Sequence, residues 1–324
     1  MSGSPDSSAF AAELCGLLPQ HGAAERLART WLEADAPDFD VGGFVVGDET
    51  QEAHLLGKTS GILAGRPFAQ AVCDVVGIEA EWLVEDGHEI TEQAAQEKRV
   101  LAKMRGPVRR ILLAERTILN IMTRASGIAT AARTMSRIKA EHQWHGQVAA
   151  TRKTTPGFSL VEKYAVLVGG CSTHRMTLSQ MVMLKDNHIW SVGNITKAVE
   201  KARAAAGFSA KIEVECQSLD AALEACAAGA EVVMLDNYEP SALKQDAAKL
   251  KAKYPHVIIE ASGGITEDTA ATFFSKDVDV LSMGKLTQGY SCLDLSLKIQ
   301  RAEKEDASAP SQPGQAEAQA DSSM

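Results

Sequence analysis

The chain is predicted to be an α/β protein, a β/α barrel preceded by a smaller domain of sheet and helices. Three observations carry that expectation. After Gly146 short apolar runs alternate with helical stretches, the pattern of parallel β/α units. Before it, strand-like text stands beside a long stretch with helical apolar spacing and few breakers. With 324 residues, 45% hydrophobic and 23% charged, the chain can bury one large core and a smaller one.

Taken in order, residues 1–9 hold too little apolar content to fold and are expected to be disordered. Residues 10–125 are expected to form the helical and sheet domain. Apolar spacings of three and four (Leu14, Leu17, Leu18, then Leu27 and Trp31) predict helix, interrupted near Pro19 and Gly22. Strands are expected in HLLGKTSGILAG and IEAEWLV, with a helix at Pro67 to Val76 between them and a turn at Gly87. From Val100 to Lys139 the spacing predicts two helices joined near Gly127. Residues 126–303 are expected to form the barrel, with strands at QVAAT, AVLVGG, MVMLK, KIEVEC, VVMLD, VIIEAS and VLSMG. The segment 304–324, rich in Ala, Ser, Gln and acidic residues, is expected to be a disordered tail.

A formal net charge of -9 opposes bulk attraction to nucleic acid or anionic membrane, and with aromatics at 5% no basic stripe with interleaved rings is present. No apolar run reaches a membrane-spanning length, and MSGSPDSSAF has neither the basic end nor the apolar core of a signal peptide. A cytoplasmic protein is expected. Its six scattered cysteines form no C-x-x-C pair and should be reduced; without zinc-type spacing, any metal should be oxygen-bound.

Against this acidic background Arg152, Lys153, Lys163, His174, Arg175 and Lys185 place six cationic side chains within 34 residues. Such a local concentration predicts a cleft for a small polyanion carrying carboxylates, phosphates or both. Several predicted strands end in a polar or charged residue or a glycine: Thr151, Lys185, Glu213 and Glu215, Asp236, Ser262 and Gly284. In a β/α barrel those ends converge on the active face. Arg152 and Lys153 enter a TTPG turn there, and Arg175 recurs with His174 one unit later. An arginine fork meets a carboxylate with two parallel hydrogen bonds, and lysine adds a compact charge. Lys185 could instead pair with Asp186. Arg116, in the apolar helical stretch, requires a partner, either Glu115 or another carboxylate, or an anion across a domain or subunit boundary.

Glu213 and Glu215 fall on one side of their strand. With Asp236 they suit ribose hydroxyls or Mg²⁺, or they neutralise the basic residues. EASGGITEDTA offers Ser262, Gly263 and Gly264 at a strand-to-helix turn, and VLSMGKLTQG repeats the theme with Ser282 and Gly284. Glycine lets backbone N–H groups approach an oxyanion, and late barrel strands are the usual place for a phosphate.

The motifs TRKTTPG, LVEKYAVLVGG, HR, VMLKDNHI, IEVEC, MLDN, EASGGI and SMG resemble those of quinolinate phosphoribosyltransferase, the decarboxylating nicotinate-nucleotide pyrophosphorylase family. The likeness runs from SGILAGRP to YSCLDLSLK. It implies an incomplete β/α barrel with a smaller N-terminal α/β sandwich domain, and active sites shared across a homodimer, with hexamers as an alternative. The implied reaction joins phosphoribose from phosphoribosyl pyrophosphate to quinolinate with Mg²⁺, releasing pyrophosphate and CO₂. By motif position Arg116 (from the neighbouring subunit), Arg152, His174 and Arg175 correspond to quinolinate contacts, and Lys153 and Lys185 to lysines shared by both substrates. Glu215 and Asp236 correspond to acidic groups near the ribose and metal, whether direct or through water. Ser262, Gly263 and Gly284 correspond to the phosphate cradle, and Gly264 and Ser282, from the glycine turns, complete the substrate-binding set. The implied catalytic set is Lys153, Lys185, Glu215 and Asp236. The segment ADAPDFDVGGFVVGDE departs from the bacterial pattern towards a eukaryotic one, which leaves assembly size open. Two other functions fit the charges: a related transferase acting on nicotinate or another aromatic acid, or a non-catalytic binder of a phosphorylated metabolite. Three arginines and a histidine suit two carboxylates better than one.

Overall fold

The computed structural model describes residues 13–300, so the two expected disordered ends lie outside the described residues. A 3-10 turn at Leu14–Leu17 leads to helix α1 (Ala23–Asp35) and α2 (Val41–Val46), then β1 (Thr50–Gly57), β2 (Gly61–Ile62) and α3 (Arg66–Val76). Next come β3 (Glu79–Trp82), β4 (Glu89–Ile90), α4 (Glu92–Gln96), β5 (Val100–Pro107) and the long α5 (Val108–Glu141). The second half holds β6 (Gln147–Ala150), α6 (Ser159–Val168), β7 (Val182–Leu184), α7 (Asp186–Val192), α8 (Ile195–Ala206), β8 (Ile212–Cys216) and α9 (Leu219–Ala227). It closes with β9 (Val232–Asp236), α10 (Pro240–Lys253), β10 (Ile258–Ser262), α11 (Glu267–Phe273), β11 (Val280–Met283), α12 (Lys285–Gln288) and β12 (Leu295–Ile299).

The first sheet is antiparallel, in the order β12-β1-β5-β3, so the last strand returns to the N-terminal layer. Along β1 Ala53 and Leu55 are buried while Glu52 and His54 are less so, the alternation of a sheet with one face on the core. The second sheet is parallel, in the order β6-β11-β10-β9-β8-β7. Its two edge strands, β6 and β7, do not pair with each other, so the barrel is incomplete. A single bridge, Ala149 to Ser172, lays the segment after α6 beside β6.

Three elements differ from the sequence expectation. Val100–Pro107 is a strand, because β1 and β3 offer it hydrogen-bonding partners on both sides. Tertiary pairing there overrides the helical spacing. Val108–Glu141 is one unbroken helix, and Gly127 does not break it. A Cβ on Gly127 would lie 2.3 Å from the Ser291 carbonyl oxygen and 2.8 Å from Tyr290, so the missing side chain admits the chain leading to β12. AVLVGG is the second half of α6 and the turn after it. Val161, Tyr164, Ala165, Val166 and Val168 are all buried, and a helix enclosed on every side loses the 3.6-residue period that separates it from a strand.

Helix α5 joins the two layers, and the domain boundary expected at 125/126 falls within it. Ile111, Ile118, Met122 and Ile128 are wholly enclosed. Each such burial stabilises by about 2 kcal/mol before conformational entropy is set against it. Polar ties fix the register: Ala64 N–H donates to Ser126 Oγ at 3.0 Å and Ile62 N–H to Thr130 Oγ1 at 2.9 Å. Among the described residues no helix is long and apolar enough to cross a membrane.

Candidate active site

The C-terminal ends of the parallel strands open onto one cleft of about 710 Å³. Arg152, Lys153, His174, Arg175, Lys185, Glu215, Asp236, Ser262, Gly263, Gly264, Ser282 and Gly284 all line it. Arg116 does not. It is exposed on α5, and among the described residues it forms no ion pair with Glu115.

The basic wall begins after β6. Thr155 donates from both its N–H (3.0 Å) and its Oγ1 (2.8 Å) to the buried Glu162 of α6, which pins the TTPG turn. Thr287 Oγ1 of α12 donates to the Lys153 carbonyl at 2.7 Å. Lys163 is no part of this wall. It is fully buried, and its Nζ donates to the carbonyls of Ala150 (3.0 Å), Thr151 (2.7 Å) and Thr173. Burial, then nearby Arg152, pushes its ammonium down to about 8. It braces the strand end from behind.

His174 adopts a left-handed φ of 54°, uncommon for a residue with a Cβ. The Arg175 N–H donates to its Nδ1 at 2.8 Å, and its Nε2 lies 3.0 Å from Glu260 Oε2 and 3.8 Å from Glu213. Arg175 donates from Nη1 to the Met181 carbonyl at 3.1 Å and is half-buried. Burial and then Arg152 lower its affinity for its proton. Glu213 lies wholly buried, and burial followed by the neighbouring Glu260 pushes its carboxyl up to about 9.

Lys185 pairs with Glu215 across β7 and β8, not with Asp186. Asp236 ends β9 next to β8, and its Oδ2 accepts from Asn237 Nδ2 at 2.6 Å. Burial, then Glu215, raises its carboxyl above the ordinary value. Beside it, after β10, stands the first glycine turn. Gly263 has φ 100°, and a Cβ there would lie 2.4 Å from Asn237 Oδ1 and 2.6 Å from Asn237 N. A Cβ on Gly264 would meet nothing within 4 Å, so that backbone is open to the cleft. Ser282 is buried, with no hydrogen-bond partner for its Oγ.

Sequence reasoning missed Glu260, Asn237 and Lys285 as lining residues. Strand parity held a signal for the first. Glu260 stands two before Ser262, as Glu213 stands two before Glu215, so each pair shares a side of its strand with its first member more deeply buried.

The arrangement can hold a small polyanion between guanidinium and ammonium groups, place two carboxylates beside a developing positive charge, and seat a phosphate against glycine backbone. The family model described as quinolinate phosphoribosyl transferase, C-terminal domain, matches residues 128–298, and that for the N-terminal domain matches residues 38–126. Among similar curated proteins, a nicotinate-nucleotide pyrophosphorylase [carboxylating] of Dictyostelium discoideum is 47% identical over 299 residues, 89% of this chain and 99% of the relative. One from Rattus norvegicus is 47% identical over 87% of this chain and 93% of its own length. The solved nicotinate-nucleotide pyrophosphorylase of Francisella tularensis superposes with a TM-score of 0.77 at 33% identity, covering 86% of this chain and 96% of that one.

Proposed function

Since the chain belongs to the quinolinate phosphoribosyltransferase family, we propose that its cleft carries out that family's reaction, the Mg²⁺-dependent, decarboxylating transfer of phosphoribose to quinolinate on the route to NAD. The quinolinate nitrogen forms a bond to C1 of the ribose as the bond to pyrophosphate breaks. The C2 carboxylate then leaves as CO₂, its bonding pair stays on C2 beside the cationic nitrogen, and a proton replaces it to give nicotinate mononucleotide.

One observation carries this reading. Arg152, Lys153, Arg175 and Lys185 share a single cleft with Glu215, Asp236 and the glycine turns. The arginines suit the two ring carboxylates, and His174 lies in the same wall. Lys185, paired with Glu215, and Lys153, beside Gly284, suit contacts with both substrates. Glu215 and Asp236 stabilise the positive character that the ribose acquires as pyrophosphate departs. Ser262, Gly263, Gly264, Ser282 and Gly284 suit the 5-phosphate. Met183 and Met234 help to enclose the cleft, and a drier cleft strengthens each of these interactions.

Glu215 and Asp236, on neighbouring strands with oxygen donors towards the cleft, fit Mg²⁺, which takes one or two carboxylates together with waters and substrate phosphates. Bound there, the ion would neutralise the leaving pyrophosphate. A homodimer with shared sites is also proposed. Exposed Arg116 stands free to reach a neighbour's cleft, and Phe39, Val41, Phe44 and Val45 present an apolar surface beside α5. Six scattered cysteines with no C-x-x-C pair suit a reducing cytoplasm.

The test incubates the protein with phosphoribosyl pyrophosphate, Mg²⁺ and either quinolinate or nicotinate. Nicotinate mononucleotide from quinolinate alone is expected. Product from nicotinate alone would reassign the substrate, and no product from either would leave a binding protein.

A further inference from the structure

Both ring nitrogens of His174 are held by the protein. Because the Arg175 N–H donates to Nδ1 at 2.8 Å, that nitrogen carries its lone pair, and the ring proton sits on Nε2. Nε2 aims at Glu260 Oε2 3.0 Å away. Glu260 is 1% exposed, on the central strand β10, and so supplies a fixed acceptor. His174, Glu213 and Glu260 lie close enough together to resemble a metal site, all within 4.8 Å. The tautomer decides otherwise, since the nitrogen facing the carboxylates donates a proton and has no lone pair for a cation.

The consequence reaches Arg175 through its backbone. The segment that carries Arg175 runs through a left-handed His174, a conformation that persists only where the surroundings enforce it. Glu260 holds the ring, and the ring accepts the amide of the next residue. The Met181 carbonyl anchors the other end of the Arg175 side chain. We propose that Glu260 is a positioning residue for Arg175, acting through His174 to hold the guanidinium where it meets one carboxylate of the aromatic diacid. This rests on the proposed function for the identity of that diacid.

The test compares Glu260→Ala and Glu260→Gln with wild type in KM for quinolinate, KM for phosphoribosyl pyrophosphate, and kcat. Glutamine keeps an oxygen that accepts from Nε2–H and loses the charge; alanine loses both. Glu260→Ala should raise KM for quinolinate about tenfold or more, with the other KM and kcat within about threefold of wild type. Glu260→Gln should return KM for quinolinate to within about threefold of wild type. Equal impairment in the two variants would overturn the proposal, because the charge would then be what matters. A parallel rise of both KM values, or a fall in kcat alone, would overturn it too. If Glu260→Ala does not fold, the glutamine variant decides alone: a tenfold rise contradicts the strut and a wild-type value supports it. Wild type that fails to turn over quinolinate would sink the proposed reaction, not the strut. Calorimetric binding of quinolinate to the same proteins would then read the strut by the same ratios.

Discussion

At the residue scale, direction matters as much as charge. Lys153 and Lys163 belong to one cationic run, yet Lys153 lines the cleft and Lys163 turns inward to three carbonyls. Lys153→Ala should therefore lower kcat by about 100-fold or more with little change in stability, since it removes a charge aimed at the reacting groups. Near-normal turnover would remove Lys153 from the chemistry. Lys163→Met should act the other way, costing about 3 kcal/mol or more in urea unfolding because buried carbonyls lose their donor. A loss below about 1 kcal/mol would show that water replaces the ammonium. The sequence supplies the charges at these positions but not which way each side chain turns. Lys185 and Asp236 are legible because a strand end fixes direction, whereas Glu260 lies inside an apolar strand, with parity to Ser262 as its one signal.

At the element scale, two discrepancies come from tertiary context, one through burial and one through strand pairing. Helix α6 was read as a strand because its apolar residues are enclosed all round, and β5 was read as helix because its partners lie elsewhere in the chain. The strands β6 to β11 are legible as short apolar runs. Gly127 separates two accounts of α5. Were it an open position of the helix, Gly127→Ala would stabilise by about 1 kcal/mol through helix propensity. The close approach of Ser291 predicts the opposite sign, a destabilisation of about 1–3 kcal/mol from overpacking. Chemical unfolding of the variant gives the sign directly.

At the scale of the whole molecule, the layers are joined by α5, by the returning β12 and by a buried polar contact. Tyr164 of α6 donates from its hydroxyl to Asp86 Oδ2 at 2.7 Å, and the Arg66 N–H donates to Oδ1 at 3.2 Å. Burial outweighs these bonds and pushes the Asp86 carboxyl from 3.8 up to about 6. A pKa raised in the folded state gives stability that is full below the unfolded value and is lost as pH rises through the folded one. The loss from pH 4 to 7 is about 2 kcal/mol for this group. In Asp86→Asn that contribution is absent, so stability relative to wild type should shift in the variant's favour between pH 4 and 7. A difference that stays flat with pH would place the charge elsewhere.

The most direct measurement follows the fate of one carbon. Quinolinate labelled with ¹³C in its 2-carboxylate is supplied with phosphoribosyl pyrophosphate and Mg²⁺, and labelled CO₂ and nicotinate mononucleotide are counted together. One cleft performing transfer and decarboxylation predicts equal amounts of the two products, falling together in Lys153→Ala. Labelled carbon retained in the nucleotide, or nucleotide formed without CO₂, would contradict it.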